Sequence, residues 1–145
     1  MTTSTLEALL EQADIQAVLN LYATALDGRD WPALDGGFTE DASARYEGVG
    51  HFDGRPAIVD LVSHVLGQCG PTQHLLGTYN IKVDGDTAKT TCYLAATHAG
   101  IGEYEGKTQT VWGEYRDQLV KTLDGWRIAH RELAIIHGEG DIGIK

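Results

Sequence analysis

Apolar residues recur through the first part of the chain with the period of an α-helix. One helical face would carry the apolar residues that lie three, four or seven positions apart, namely Ile15, Val18, Leu19, Tyr22 and Leu26. Ser4 followed by Glu7 is typical of a capping box ahead of such a helix. Gly28 is typical of the glycine that ends one. The pattern therefore predicts a long amphipathic helix that ends at Gly28.

The pattern changes twice in the next forty or so residues. The segment DWPAL predicts a short helical turn capped by Asp30, with Pro32 in the first turn, where its missing N–H does no harm. The segment DASARYEGVGHFDG alternates and contains several glycines, which predicts a small β-hairpin. The segment RPAIVDLVSHVLGQ then returns to helical spacing between Gly54 and Gly67, and predicts a second helix.

Strand-like segments occupy most of the remaining chain. Residues 73–83 and 86–98 flank the turn sequence DGD, and residues 107–123 and 126–137 flank DG, so two long hairpins are expected. The tail, about 138–145, is expected to be loose. Helices followed by an antiparallel meander predict an α+β fold, a cone-shaped barrel of a strongly curved, mainly antiparallel sheet closed by N-terminal helices. Its interior is the natural place for a small-molecule pocket.

Composition adds expectations about partners and location. A chain of 145 residues is expected to form a single domain over residues 1–145. Eleven basic and 21 acidic residues give a net charge of −10, which would repel both nucleic acid and an anionic membrane surface. The N-terminal sequence MTTSTLEALLEQ is unlike a secretory signal, so a cytoplasmic location is expected. Cys69 and Cys92 are expected to be free thiols in such a reducing compartment.

Three common site motifs are absent or incomplete. The segment GIGEYEGKT has one residue too many for a phosphate loop and is followed by a strand-like sequence rather than a helix. The six histidines show neither HxH nor HExxH spacing, so no metal site is predicted, although ligands from distant strands could still assemble one. No GxSxG segment indicates a serine nucleophile.

A carboxylate and two histidines stand out at the ends of predicted elements. Asp27 lies in the last turn of the first helix, where the helix dipole mildly disfavours an acid. His74 opens the first long strand, and His98 closes its hairpin partner. An isolated histidine of this kind is commonly a partly buried residue with one backbone hydrogen bond, and Asp27 could be a solvated acid paired with Arg29. The alternative is that these side chains form a site.

The chain resembles the SnoaL-like branch of the nuclear transport factor 2-like superfamily of cone-shaped α+β proteins. The similarity runs through IQAVLNLYATALDGRDW, FTEDASARYEG, TQHLLG and DGWRIAHREL. Within the branch the chain is similar to scytalone dehydratase, bile-acid 7α-dehydratase and hexachlorocyclohexane dehydrochlorinase, which use an Asp–His pair. The resemblance implies an enzyme without a cofactor that assembles as a homotrimer or homodimer.

The resemblance also implies roles for individual residues. Asp27 and His74 match the catalytic aspartate and histidine, and Tyr22 and Tyr46 match active-site tyrosines. His98 matches a second active-site histidine that would orient substrate or hold a water. The chain departs from scytalone dehydratase at Leu26, where that enzyme has a tyrosine, and at Glu114, which is expected to take the place of a pocket serine. Arg131 either meets a substrate carboxylate or pairs with an acid.

The chemistry of elimination fits these residue types. Loss of water from a β-hydroxy carbonyl compound requires a base to take the proton next to the carbonyl, and histidine, with an ordinary pKa of about 6.5, suits that task. A carboxylate on the far ring nitrogen would fix the tautomer, a role for Asp27. Tyr22 and Tyr46 would donate to the developing oxyanion. The expected function is a lyase acting on a small, apolar, hydroxylated ring compound such as a steroid or polyketide.

Two other classes of function stay open at the level of sequence. An isomerase or cyclase would use the same base for proton transfer without losing a leaving group. A non-catalytic binding or scaffold domain would hold a ligand or fill the cone with side chains. The presence of both Asp27 and His74 favours an enzyme, since a filled cone needs neither residue.

Register and surface pattern give two further expectations. A bulge or a three-residue turn between Val83 and His98 would bring His74 opposite Ala96 and both histidines onto one face. A regular two-residue turn would send His98 to the opposite face. The outer face of the sheet is expected to carry apolar residues that support association, namely Trp112, Trp126, Ile135 and Ile136.

Overall fold

The structure, a computed structural model, describes residues 5–145, which form two α-helices, two short 3-10 helices and six strands. In chain order the elements are helix α1 (Leu6–Asp27), a 3-10 helix (Trp31–Gly36), strands β1 (Phe38–Tyr46) and β2 (Gly50–Asp53), helix α2 (Arg55–Leu66), strands β3 (Thr72–Asp84) and β4 (Thr87–Ala99), a 3-10 turn (Gly102–Tyr104), and strands β5 (Thr108–Thr122) and β6 (Gly125–Glu139). The predicted α+β class is confirmed, with each helix and hairpin where the sequence pattern indicated.

The six strands form one curved sheet in the order β2-β1-β6-β5-β4-β3. Strands β1 and β6 run parallel, and every other neighbouring pair is antiparallel. The sheet does not close on itself, since β2 and β3 are its edge strands, and the predicted cone of a curved, mainly antiparallel sheet closed by helices is confirmed. Helix α1 packs against β3 and β6 and thereby covers the concave face.

Side-chain caps mark the starts of α1 and of the first 3-10 helix. The N-cap of α1 is Thr5, whose Oγ1 accepts a hydrogen bond from the Ala8 N–H at 3.1 Å; Ser4, the expected cap, lies outside the described residues. The predicted cap of the 3-10 helix is confirmed, since Asp30 Oδ1 accepts from the Ala33 N–H at 3.3 Å. These caps fix the two ends of the segment that carries Asp27.

The register of β3 against β4 decides which side chains face the concave side. Thr87 lies opposite Asp84, so the turn has two residues, and the register shifts by one at a bulge between Gly77 and Asn80. Thr78 in that bulge has φ 53°, a left-handed conformation. The bulge lies in β3 rather than between Val83 and His98, but it produces the expected pairing of His74 with Ala96. The predicted pairing of His74 with Ala96 is therefore confirmed, whereas the predicted position of the bulge is wrong.

The C-terminal tail is docked rather than loose. Ile142 is 2% exposed and belongs to the core, and its N–H donates to Gln109 Oε1 at 3.3 Å. The Gln68 side chain accepts from the Lys145 N–H and donates to the Lys145 carbonyl, both at 2.9 Å. The expectation of a loose tail is therefore wrong, because two side-chain amides supply the backbone hydrogen bonds that a short glycine-rich tail cannot make to itself.

The outer face of the sheet is less apolar than the sequence pattern suggested. Trp126 is buried and donates through Nε1 to Glu11 Oε2 at 2.5 Å, while Ile135 lines the interior cavity. Trp112 stacks on His137 with ring centroids 5.4 Å apart, and Ile136 is exposed. Self-association stays a prediction, resting on fewer apolar residues. No helix within residues 5–145 is long and apolar enough to span a membrane.

Docking of the tail predicts a large stability difference between two isoleucines. Ile142→Ala should lower the free energy of unfolding by about 2–5 kcal/mol, because it removes a buried aliphatic side chain. Ile136→Ala, at a position 64% exposed, is the matched control and should cost less than about 0.5 kcal/mol. Urea unfolding of both variants measures the difference, and equal costs would show that the tail is not docked in solution.

Candidate active site

A cavity of about 670 Å³ lies inside the cone, between the helices and the concave face of the sheet. Its walls are mainly apolar, with side chains such as Val62 and Val65 from α2 facing Leu94 and Val111 from the sheet. Polar side chains also line it, among them Tyr22 from α1, Tyr46 from β1, His74 from β3 and His98 from β4. A mostly apolar cavity with a few convergent polar groups is the usual form of a small-molecule site.

Asp27 and His74 form a directly hydrogen-bonded pair on the wall of this cavity. His74 Nδ1 lies 2.7 Å from Asp27 Oδ1, and the His74 backbone N–H donates to Asp27 Oδ2 at 2.9 Å. A carboxylate only accepts, so Nδ1 carries the proton of a neutral ring and Nε2 keeps its lone pair. Among the described residues Nε2 has no hydrogen-bond partner, which leaves it available on the cavity side.

The end of α1 and the start of β3 bring this pair together. Asp27 is the last residue of α1, and Gly28 closes the helix through N–H bonds to the carbonyls of Thr24 and Leu26. The Asp27 side chain is 25% exposed and makes no direct ion pair with Arg29, so the interpretation as a solvated acid paired with Arg29 is wrong. Its carboxylate is instead turned toward the backbone and ring of His74.

Burial keeps His74 in its neutral form. Removal of the ring from water lowers its pKa below the ordinary value, and the opposing effect of the hydrogen bond and charge of Asp27 is smaller. The positive charges of Arg29 and Arg131 lower the pKa further. His74 at neutral pH is therefore an unprotonated imidazole with an oriented tautomer, which is the form that can accept a proton.

His98 joins His74 on the same wall. The two ring centroids are 5.7 Å apart, and the rings meet edge to face. His98 Nδ1 donates to the Gln109 carbonyl at 3.0 Å, which leaves Nε2 as the unprotonated atom. Burial lowers the pKa of His98, and the neighbouring His74 lowers it further, so both rings are neutral at pH 7.

Two tyrosine hydroxyls meet at the cavity wall. The hydroxyl oxygens of Tyr22 and Tyr46 are 2.9 Å apart, and both side chains are buried. Burial raises the pKa of Tyr22 and raises that of Tyr46 well above the ordinary value, so both remain protonated. One proton serves the bond between the hydroxyls, which leaves the second free to be donated to another acceptor.

Arg131 does not line the cavity, and its assignment to substrate binding is corrected. The guanidinium is fully buried and makes a bidentate ion pair with Asp117, at 2.8 Å through Nε and 2.9 Å through Nη2. Its Cζ lies 3.8 Å from the ring centroid of Tyr115 and 4.3 Å from that of Tyr22. The alternative interpretation, pairing with an acid, is the one that the structure shows.

Glu114 also lies outside the cavity, contrary to expectation. Its carboxylate accepts from Arg116 Nε at 3.0 Å, and it is absent from the cavity lining, because the inward positions of β5 are the odd ones. Tyr115, one residue on, is the inward residue. Gln109 and Thr72 were missed by sequence analysis, although alternation along a strand places Thr72 on the same face as His74.

The residues described offer no obvious metal site. No three His, Cys, Asp or Glu side chains within residues 5–145 are grouped so that they could hold a metal ion. The two histidines of the cavity each use Nδ1 in a protein hydrogen bond. The arrangement is thus one of hydrogen-bonded acid–base groups around an apolar cavity.

The chain belongs to the SnoaL-like domain family, whose model matches residues 7–132. It is 38% identical over 124 residues to the uncharacterized protein Rv2910c of Mycobacterium tuberculosis H37Rv, covering 83% of this chain and 82% of that one. The SnoaL-like domain has the cone fold of the nuclear transport factor 2-like type, in agreement with the architecture described above.

Solved structures share the fold at low sequence identity. A candidate scytalone dehydratase from Novosphingobium aromaticivorans DSM 12444 is 23% identical with a TM-score of 0.83, covering 92% of this chain and 89% of that one. The hexachlorocyclohexane dehydrochlorinase LinA-type3 from Novosphingobium barchaimii LL02 is 18% identical with a TM-score of 0.84, covering 97% of each chain. At these identities the similarity establishes the fold.

The buried ion pair predicts opposite outcomes for single and paired substitutions. Asp117→Leu should lower the free energy of unfolding by about 3–5 kcal/mol, because it leaves the Arg131 charge buried and unpaired. Adding Arg131→Met should recover most of that loss, since no buried charge then remains. The exposed pair Glu114–Arg116 provides the control, and Arg116→Met should cost at most about 1 kcal/mol. Chemical denaturation that found the double variant no better than Asp117→Leu would contradict this.

Proposed function

We propose that this protein is a cofactor-free lyase that eliminates water from a small hydroxylated ring compound, with Asp27 and His74 as its base. The observation that carries the proposal is the 2.7 Å contact between Asp27 Oδ1 and His74 Nδ1 on the wall of a 670 Å³ cavity. The same contact fixes the tautomer, and burial keeps the ring neutral. A neutral, oriented imidazole facing an apolar cavity is suited to proton abstraction.

The reaction balances without an external electron donor or acceptor. His74 Nε2 takes the proton from the carbon next to the substrate carbonyl, and the electron pair of that C–H bond moves to give an enolate. When the carbonyl re-forms, this pair becomes the new carbon–carbon double bond and the bond to the β-hydroxyl oxygen breaks. The departing oxygen takes the proton from His74 and leaves as water. His74 is then neutral again, so no cofactor is required.

Tyr22 and Tyr46 are the proposed donors to the enolate oxygen. Their shared hydrogen bond leaves one hydroxyl proton free, and both phenols stay protonated because burial raises the pKa of each. In other enzymes, removal of one hydrogen-bond donor to a developing oxyanion raises the activation free energy by about 3 kcal/mol. His98, 5.7 Å from His74 between ring centroids, orients the substrate or holds a water beside the leaving group.

The cavity favours a neutral and largely apolar substrate. Its walls are mostly aliphatic and aromatic, and the Arg131 guanidinium is committed to Asp117 rather than offered to a carboxylate. The volume of about 670 Å³ lies in the range of cavities that enclose ligands of drug size. A hydroxylated ring compound such as a steroid or polyketide fits this combination of size and polarity.

Loss of water is the direct test of this proposal. Purified protein incubated with hydroxysteroids and hydroxylated aromatic ketones should convert at least one to a product lighter by one water molecule, detected by mass spectrometry. A product of unchanged mass would instead indicate an isomerase or cyclase using the same base. Failure of the whole panel to bind or react would favour a non-catalytic domain and contradict the proposal.

Substitution of the pair should impair one shared step. On a substrate found in this way, His74→Ala should lower kcat by about 10²–10⁴-fold, the usual contribution of a positioned acid–base group. Asp27→Asn should also lower kcat, and the double variant should lose little more than His74→Ala alone, because both residues act through the same ring. Steady-state kinetics measure this, and additive losses would show that the two residues act separately.

An exposed pair of the same residue types provides a matched control. His51 Nε2 lies 2.9 Å from Asp53 Oδ1 on the surface, outside the cavity. His51→Ala and Asp53→Asn should leave kcat unchanged. A comparable loss in the control variants would mean that the effects at Asp27 and His74 are not specific to the cavity.

The pH profile should report the neutral form of His74. Because burial lowers its pKa, kcat/KM should rise with pH and reach its plateau with a midpoint below about 6.5. Asp27 opposes that lowering, so Asp27→Asn should move the midpoint to a still lower pH while reducing the plateau. A wild-type midpoint above 6.5, or a rise with falling pH, would contradict a neutral base.

A further inference from the structure

Arg29 occupies an unusual backbone position directly after the end of α1. Its φ is 54°, in the left-handed region that residues with a side chain rarely adopt. Its guanidinium is held by the carbonyls of Leu26 at 2.8 Å and Gly70 at 2.7 Å, and it donates to Thr72 Oγ1 at 2.9 Å. Nη2 also lies 3.8 Å from the sulfur of Cys69. These contacts join the end of α1 to the start of β3.

Thr72 links Arg29 to the proposed base through two hydrogen bonds. Its hydroxyl has one proton and two lone pairs, and Arg29 Nη1, which can only donate, occupies a lone pair. The proton is thereby free to be donated to Asp27 Oδ1, 2.9 Å away. The order of donation is fixed from Arg29 to Thr72 to Asp27, because a guanidinium cannot accept and a carboxylate cannot donate.

The Asp27 carboxylate is held by three donors in total. Oδ1 accepts from the Thr72 hydroxyl and from His74 Nδ1, and Oδ2 accepts from the His74 backbone N–H. Two of the three donors belong to His74 itself. Among the described residues, Thr72 is therefore the one other residue that donates a hydrogen bond to the carboxylate. Without the Thr72 hydroxyl proton, Asp27 would be held only by His74, the residue whose ring Asp27 orients.

We propose that Arg29 and Thr72 are positioning residues of the Asp27–His74 pair: Arg29 directs the Thr72 hydroxyl onto Asp27 Oδ1, which fixes the carboxylate against His74, shares its negative charge and keeps the ring in its neutral Nδ1–H form. This role rests on the proposed function of the pair as a base. It also accounts for a carboxylate at the C-terminal end of a helix, since the Arg29 guanidinium on the Leu26 carbonyl supplies the positive charge that this end favours.

The charges around His74 are consistent with this role. Among the described residues, Asp27 and Arg29 from the α1 end and Arg131 from β6 shift the pKa of His74. His98 from β4 meets the ring edge to face. Asp27 raises the pKa of His74, whereas Arg29 and Arg131 lower it. Arg131 is already neutralised by its bidentate contact with Asp117, so Arg29 is the cation whose removal should be felt most directly.

Titration of the His74 ring by ¹⁵N NMR tests the proposal without any substrate. Arg29→Met keeps a side chain at the left-handed position but removes the charge and both hydrogen-bonding nitrogens. Thr72→Val removes the hydroxyl at nearly constant shape, and Thr72→Ser restores it. We expect the titration midpoint of His74 to rise above its wild-type value in Arg29→Met and Thr72→Val, because more of the Asp27 charge then acts on the ring, and to match the wild type in Thr72→Ser. Arg116→Met, on the outer face, is the control for loss of a cation.

The outcomes separate positioning from mere packing. A variant with a lower melting temperature but an unmoved or lowered His74 midpoint would overturn the role of the residue replaced. That residue would then contribute to packing and stability without acting on the Asp27–His74 pair. A midpoint raised equally by Arg116→Met would overturn the role of Arg29, because net charge alone would then explain it. Raised midpoints in a protein that turns over no substrate would support the positioning role while the proposed lyase activity failed.

Discussion

The hydrogen bond between Asp27 and His74 is the contact on which the rest of the site depends. It joins residues 47 positions apart, one at the last turn of a helix and the other at the start of a strand. Because the His74 backbone also donates to Asp27, the contact fixes the strand as well as the ring. The tautomer of His74 and the direction of its free nitrogen both follow from this carboxylate, which also helps to hold β3 against the end of α1.

The core beneath the cavity is organised by a second buried charge pair. Arg131 and Asp117 are fully buried, and the guanidinium lies between the rings of Tyr22 and Tyr115. Burial of two charges is costly, so the pair contributes less to stability than its short contacts suggest. Its position against Tyr22 sets the floor of the cavity and thus the place of the tyrosine hydroxyl pair. A residue that resembled a substrate contact is therefore part of the scaffold.

Periodicity was sufficient to predict the helices and the hairpins, whereas the resemblance to the SnoaL-like branch indicated that both histidines face the cavity. Periodicity was not sufficient to decide which of Glu114 and Tyr115 on β5 faces the cavity. That choice depends on the register of the strand with its neighbours, and a shift of one residue exchanges the two faces. The position of the bulge between Gly77 and Asn80 could not be predicted for the same reason, since only the pairing of β3 with β4 shows where the extra residue lies. The tail was misjudged because Gln68 and Gln109, which hold it, are distant in sequence.

The hydrogen-bond relay of Arg29, Thr72 and Asp27 escaped sequence analysis for a similar reason. Arg29 was considered as a direct partner of Asp27, since only Gly28 separates the two residues in sequence. The left-handed backbone at Arg29 turns its side chain toward β3 instead, where Thr72 intervenes. A backbone conformation of this kind in a residue other than glycine is not visible in composition or spacing.

Exchange of hydrogen at carbon is the measurement that tests the central claim most directly. The protein would be incubated in D₂O with cyclic ketones that fit the cavity, and deuterium uptake next to the carbonyl would be followed by mass spectrometry. This reports proton abstraction whether or not a group then leaves. The account predicts catalysed uptake in the wild type and in His51→Ala, and its loss in His74→Ala. Uptake that persists unchanged in His74→Ala would contradict the account.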